Sequence, residues 1–130
     1  MRLLLYLNSM FGIKKNEDFR LVYKAGRSYA NRYLVLYVLK KEQEYCRIGI
    51  SVSKKIGNSV VRHRIKRLVR ECYRLHEGQI FCPADSGSAV CGADLVVVGR
   101  RSANGASYYE IEKALISLLR SSGMYHSETE

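Results

Sequence analysis

Lys54-Lys55-Ile56-Gly57-Asn58-Ser59-Val60-Val61-Arg62-His63-Arg64-Ile65-Lys66-Arg67-Leu68-Val69-Arg70-Glu71-Cys72-Tyr73-Arg74 is the stretch from which the rest of the chain can be placed. Wound at about 100° per residue, it puts Val61, Ile65, Leu68, Cys72 and Leu75 on one stripe. Arg62, His63, Lys66, Arg67, Arg70 and Arg74 fall opposite. This predicts a helix with one packing face and one cationic face. Asn58 or Ser59 is placed to cap its first turn, and Gly57 lets the backbone bend into it, so the basic face begins at free helix amides. Glu71 is the only acid in the stretch, and pairing with its Arg neighbours is expected. A face made only for solubility usually mixes signs and gains i,i+4 pairs. One so poor in acids suits a polyanion, with an ordinary solvated face as the rival reading.

Composition agrees. The chain has 130 residues, which sets the prior at one domain able to hold a core without staples. With 47% hydrophobic residues and a single Pro it reads as globular, not as a disordered basic tail. A net charge of +10 points to a polyanionic partner. A membrane is not that partner, because the stripe opposite the charges is used by the core and leaves no apolar face for lipid. Cys46, Cys72, Cys82 and Cys91 match no zinc spacing, having no CxxC and no nearby His pair, and metal binding by them is not expected. Cys46 and Cys72 fall at apolar positions of a strand and a helix. Cys82 and Cys91 flank a Ser/Gly loop and can reach each other, yet in a cytoplasmic chain such a bond stays reduced. Met1-Arg2-Leu3-Leu4-Leu5-Tyr6-Leu7 starts like a signal peptide, but Asn8 and Ser9 break the run and no cleavage site follows. Residues 1–12 are read as a flexible extension, and the cytoplasm as the default location.

Along the chain, Asn16 is expected to cap a short helix with Glu17 and Asp18 in its first turn and Gly26 as its stop. Phe19, Val22 and Tyr23 share one face of it. Tyr29 to Lys40 reads as one strand, and Cys46 to Ser53 as a second that forms an antiparallel hairpin with it. In the second strand Cys46, Ile48, Ile50 and Val52 point one way, and Arg47, Gly49, Ser51 and Ser53 the other. A face of Gly and Ser beside Tyr is open enough for an extended ligand; it can equally meet solvent or a helix. The basic helix leads into a long loop, His76 to Ala93, which low complexity marks as mobile. Asp94-Leu95-Val96-Val97-Val98-Gly99-Arg100 reads as a strand covered on both faces and paired in parallel across the sheet. A last helix, Tyr108 to Ser121, turns Ile111, Leu115, Leu118 and Leu119 inward. Gly123 stops it, and the tail of residues 123–130 should fray. The domain is placed at 13–122.

Protein-based catalysis finds little support. Asp18, Asp85 and Asp94 are scattered, and nothing gathers carboxylates for metal-assisted hydrolysis. His63, between Arg62 and Arg64, offers a ring to stack on a base or bond a phosphate, whereas His76 and His126 carry no signal. Phe19 and Tyr23, at i and i+4, with Tyr37 on the adjoining strand, can make a stacking platform for a single strand, or lie in the core.

The basic stretch resembles the arginine-rich signature of the bacterial ribonuclease P protein family. Lys14-Lys15-Asn16-Glu17-Asp18-Phe19 with Val22-Tyr23, Val35-Leu36-Tyr37, Arg47-Ile48-Gly49-Ile50-Ser51-Val52-Ser53, and Asp94-Leu95-Val96-Val97 with Arg100 resemble it in order, over residues 13–122. The resemblance implies an α/β fold: an α+β sandwich of order α-β-β-α-β-α, with a small mixed sheet and an unusual left-handed crossover. It also implies a noncatalytic subunit whose partners are a catalytic RNA and precursor tRNA. In that family the RNA removes the 5′ leader using Mg²⁺, which the RNA holds. Phe19, Tyr23, Tyr37, Lys54, Arg100 and Arg101 would face the leader. Arg62, His63, Arg64, Lys66, Arg67 and Arg70 would meet the catalytic RNA. His63 stands where the family usually has Asn, and the segment 76–93 is long for it. The rivals are a generic basic RNA-binding protein, a nuclease acting without RNA, and a DNA reader. The last is disfavoured because a helix locked into a parallel crossover is poorly placed to enter a major groove.

Overall fold

A computed structural model of the chain describes residues 12–43, 45–81 and 92–126. Within them the order is α1 (Asn16–Ala25), β1 (Arg27–Ala30), β2 (Leu34–Lys41), β3 (Cys46–Ser51), α2 (Ser59–Leu75), β4 (Gly92–Gly99) and α3 (Tyr108–Ser121). Short 3-10 turns lie at Glu77–Gln79 and Arg101–Ala103. The strands form one mixed sheet in the order β1-β2-β4-β3. β4 runs antiparallel to β2 and parallel to β3, so the α+β class and the parallel pairing across the basic helix are as expected.

The expected hairpin between the second and third strands is not there, because β4 lies between them. Leu95, Val96 and Val97 are buried on alternating faces, and a strand apolar on both sides removes most area from water at the sheet centre. The strand also starts earlier than expected, at Gly92 rather than Asp94. The stretch from Tyr29 to Lys40 is two strands, not one. Asn31 divides it: its Oδ1 accepts the amides of Tyr33 at 3.1 Å and Leu34 at 3.0 Å, while its Nδ2 donates to the Ala114 carbonyl at 2.9 Å. This side-chain turn folds β1 back onto β2, pairing Tyr29 with Leu36.

One face of the sheet carries Leu34, Leu36, Val38, Ile48, Leu95 and Val97 into the main core with α2 and α3. From α2 come Ile65, Leu68, Val69, Cys72 and Tyr73. With Val69 and Tyr73 included, the stripe centres between Ile65 and Val69 and leaves Leu75 on its rim, 67% exposed and not packed as expected. Asn58 is the cap, its Oδ1 accepting the Val61 amide at 3.0 Å. α3 buries the expected Ile111, Leu115, Leu118 and Leu119 and opens on a reciprocal Ser107–Glu110 capping box.

The other face packs Val96 against Ile13 and Val22 beneath α1, with Phe19 and Tyr37 alongside. Asn16 does not cap α1. The extended residue before the helix is Lys15, and Asn16 is already helical. Gly26 does end it, through close approach and not a left-handed turn: a Cβ there would stand 2.6 Å from the Val22 carbonyl oxygen.

Residues 123–126, the described part of the expected tail, are tied down rather than frayed, and residues 127–130 lie outside the described residues. Gly123 takes a left-handed φ of 79°, Met124 is fully buried, Tyr125 bridges to Ile80, and the His126 amide donates to the Gln79 carbonyl at 2.8 Å. The same contacts fix the start of the segment read as a mobile loop. Residues 1–11, together with Cys82, Asp85 and Cys91, lie outside the described residues. No helix among the described residues is long and apolar enough to cross a membrane.

Candidate nucleic-acid interface

α1 covers only part of its side of the sheet. At the start of β3, Arg47 lies opposite Asp94 in register, and its Nε and Nη2 donate to the carboxylate at 2.9 and 2.6 Å. Lys41 Nζ adds a contact of 2.8 Å from β2, and Asp18 of α1 reaches Arg47 at 3.5 Å. Asp94 is 0% exposed. Burial alone would raise its pKa, but the hydrogen bonds from Arg47, Lys41 and Gln43 outweigh it and hold the carboxyl below its usual range. That end of the face is closed by ion pairs among three strands and a helix. In the middle, Phe19 packs on the strand so closely that a Cβ at Gly49 would stand 2.6 Å from its Cζ and would push the ring aside. Toward the end of β3 the cover stops. There a groove of about 340 Å³ opens between Asn16, Phe19, Arg20 and Tyr23 of α1, Ile50 and Ser51 of β3, and Lys66 of α2. The small-residue face is thus helix-covered at Gly49 and open at Ser51.

The three aromatic residues singled out from the sequence are neighbours, Phe19 and Tyr23 on the groove and Tyr37 beside Tyr23. The Tyr23 and Tyr37 rings are 5.0 Å apart, edge to face, and Phe19 lies 6.4 Å from Tyr23. Tyr23 is 39% exposed, whereas Phe19 also packs against the small cluster around Val96, so it serves both groove and core. Lys54, Arg100 and Arg101 follow the parallel ends of β3 and β4 and so sit at one edge of the sheet, all three exposed. Arg100 is turned toward the β1–β2 turn, where its Nη1 donates to the Asn31 carbonyl at 2.8 Å.

On α2, His63, Arg67, Arg70 and Arg74 are exposed, and Arg62 and Lys66 are half-buried. No ion pair joins any of them to an acid among the described residues, Glu71 included, contrary to the pairing expected of it. The acids lie elsewhere: Asp18 and Asp94 on Arg47, Glu110 in its cap, Glu112 on His76. Arg64 leaves this face; its Nη2 donates to the Ala106 carbonyl at 2.9 Å and ties α2 to the turn before α3. Two groove residues, Asn16 and Arg20, are not among the sequence candidates, although i and i+4 from Asn16 with Tyr23 three further on is the spacing of one helix face.

A small α+β domain that turns outward a cationic helix face free of ion pairs among the described residues, beside an aromatic-lined groove, has the build of an RNA-binding protein. Comparison with known proteins makes the class specific. The family model described as Ribonuclease P matches residues 7–123. The ribonuclease P protein component of Clostridium botulinum is 46% identical over 114 residues, covering 88% of this chain and 96% of that one. That of Alkaliphilus metalliredigens is 48% identical over 108 residues, covering 83% and 89%. The solved ribonuclease P protein of Staphylococcus aureus superposes with a TM-score of 0.77 at 36% identity, covering 89% of this chain and 98% of that one. The chain belongs to the bacterial ribonuclease P protein family. It is the protein subunit of the endoribonuclease that matures the 5′ ends of tRNA, and it works in partnership with ribonuclease P RNA.

Proposed function

We propose that the protein stabilises the complex of the catalytic RNA with precursor tRNA in the cytoplasm and contributes no catalytic group to leader removal. Arg62, His63, Lys66, Arg67 and Arg70 meet the catalytic RNA by neutralising phosphates, and Arg64 joins them while anchored on Ala106. Phe19, Tyr23 and Tyr37 receive the unpaired 5′ leader, whose bases stack on rings, with Lys54, Arg100 and Arg101 near its phosphates. The observation that carries this reading is the groove. Phe19 and Tyr23 line it with Tyr37 packed edge-on against Tyr23, cations of two helices flank it, and a folded duplex has no unstacked bases to place there.

Mg²⁺ is assigned to the RNA. The ion takes an octahedral shell of oxygens, often with several waters. Asp18 and Asp94 are paired with Arg47 and Glu110 is held in its helix cap, so none of these three carboxylates is free. The side chains of this interface bind and orient; the reacting atoms belong to RNA and metal.

Tyr23→Ala tests the groove, because Tyr23 is half-exposed while its neighbour Val22 carries the packing of α1. A lost stacking contact is worth about 1 to 3 kcal/mol, so the reconstituted holoenzyme should bind precursor tRNA roughly tenfold more weakly and mature tRNA unchanged. Equal loss for both substrates contradicts the leader assignment.

A further inference from the structure

At the end of α2 furthest from its cap, three side chains of metal-binding type converge, and neither the cationic face nor the groove uses them. Cys72 and His76 are one helical turn apart and share a face. Glu112 of α3 meets them from across the helix interface. One donor atom of each, the Cys72 sulfur, a His76 ring nitrogen and a Glu112 carboxylate oxygen, lies within 4.8 Å of the other two. His76 Nε2 is 3.0 Å from Glu112 Oε2, and its Nδ1 is 3.3 Å from both Gln79 Oε1 and the Tyr125 hydroxyl. The Tyr108 hydroxyl donates to the same Glu112 oxygen at 3.3 Å. These are the outer partners a metal-binding histidine and carboxylate usually have: the second ring nitrogen is held by an oxygen, and the carboxylate is oriented by a donor. Cys72 is buried, while His76 and Glu112 are part-exposed on the wall of a cleft of about 550 Å³, which provides an entry path.

We propose that Cys72, His76 and Glu112 bind one divalent cation of the zinc class, which clamps the end of α2 to α3. Thiolate, imidazole and carboxylate together suit Zn²⁺ or Co²⁺, whereas Mg²⁺ and Ca²⁺ select oxygen alone. The site is therefore chemically separate from the magnesium of the catalytic RNA. An ion about 2.0 to 2.3 Å from each donor needs the donors somewhat closer than they stand, and the two part-exposed side chains have room to close. On binding, the Cys72 thiol loses its proton to water as the metal–sulfur bond forms. The proton that Nε2 places on Glu112 passes through water to Nδ1, where the oxygen partners hold it, so that Nε2 and the Glu112 oxygen are both free to bond the ion, and water from the cleft fills the fourth position. Sequence spacing hid this set, because its third member comes from another helix.

The test is titration of Co²⁺ into the reduced, chelator-stripped full-length chain. Expected is a thiolate-to-cobalt absorption band saturating at one ion per chain, reversed by Zn²⁺ and untouched by Mg²⁺. The band should persist in Cys46→Ser and in the Cys82→Ser/Cys91→Ser double variant and vanish in Cys72→Ser. His76→Gln and Glu112→Gln should bind at least tenfold more weakly. Zn²⁺ should raise the Tm of the parent chain and not that of Glu112→Gln, a readout that stands even if Cys72→Ser fails to fold. No band in the folded parent, or one that depends on Cys82 and Cys91 and survives Cys72→Ser, overturns the proposal. The cluster is then a hydrogen-bonded clasp at the end of α2.

Discussion

Asp94 is the residue on which the sheet's register depends most. It bonds Arg47 of β3 and Lys41 of β2 from the strand between them, so a one-residue slip of either neighbour would strand a charge in the interior. Removing one partner of a buried pair costs about 3 to 5 kcal/mol, and Asp94→Asn should lower unfolding free energy by that order in urea melts. Its pH dependence has a definite sign. The folded pKa lies below the ordinary carboxylate value, so the contribution is complete above about pH 4 and is lost as pH falls through the lowered value. Asp94→Asn should flatten the acid limb of a stability–pH profile and leave its shape near pH 7 unchanged. From sequence, Asp94 read as the polar border of an apolar run. An isolated acid gives no local sign that Arg47, 47 positions earlier, lies opposite it. Phe19 and Gly49 were more legible, since an aromatic at helical spacing and a small residue in a strand were each visible alone; only their contact was not.

Among elements, α2 was the most readable. Its start, cap candidate, basic face and packing stripe follow from a period of 3.6, which is local information. Asn58→Ala should cost about 1 kcal/mol, seen as a Tm lowered by a few degrees, with RNA contacts on Arg67 and Arg70 retained. α3 was equally plain. Strands were harder, for two physical reasons. A turn made by the Asn31 side chain needs neither Gly nor Pro, so the break between β1 and β2 left little trace. Pairing order is not written in any one strand: β4 displays its central position by being apolar on both faces, but that it separates β2 from β3 depends on where the α2 crossover delivers it. Residues 123–126 left no local sign of their order because Met124 and Tyr125 meet Ile80, Phe81 and His76, far away in sequence.

For the whole molecule, the governing fact is a charge of +10 in which Asp18, Asp94, Glu110 and Glu112 are engaged away from α2, while α2 keeps His63, Arg67, Arg70 and Arg74 outward. Such a surface repels itself and is offset by a polyanion, so binding should release counterions and weaken steeply with salt. Composition and charge made this class of partner legible; the groove, for which we propose a single-stranded leader, was legible only as aromatic residues without a place. The most direct measurement is the salt dependence of affinity for ribonuclease P RNA in the parent chain and in Arg67→Ala/Arg70→Ala, whose side chains are exposed and carry no packing. With about six phosphates neutralised, the parent should lose around three decades of affinity between 50 and 200 mM salt, and the double variant should show a log–log slope shallower by roughly 2 at unchanged stability. A nearly flat response in the parent, or an unchanged slope in the variant, would contradict the account.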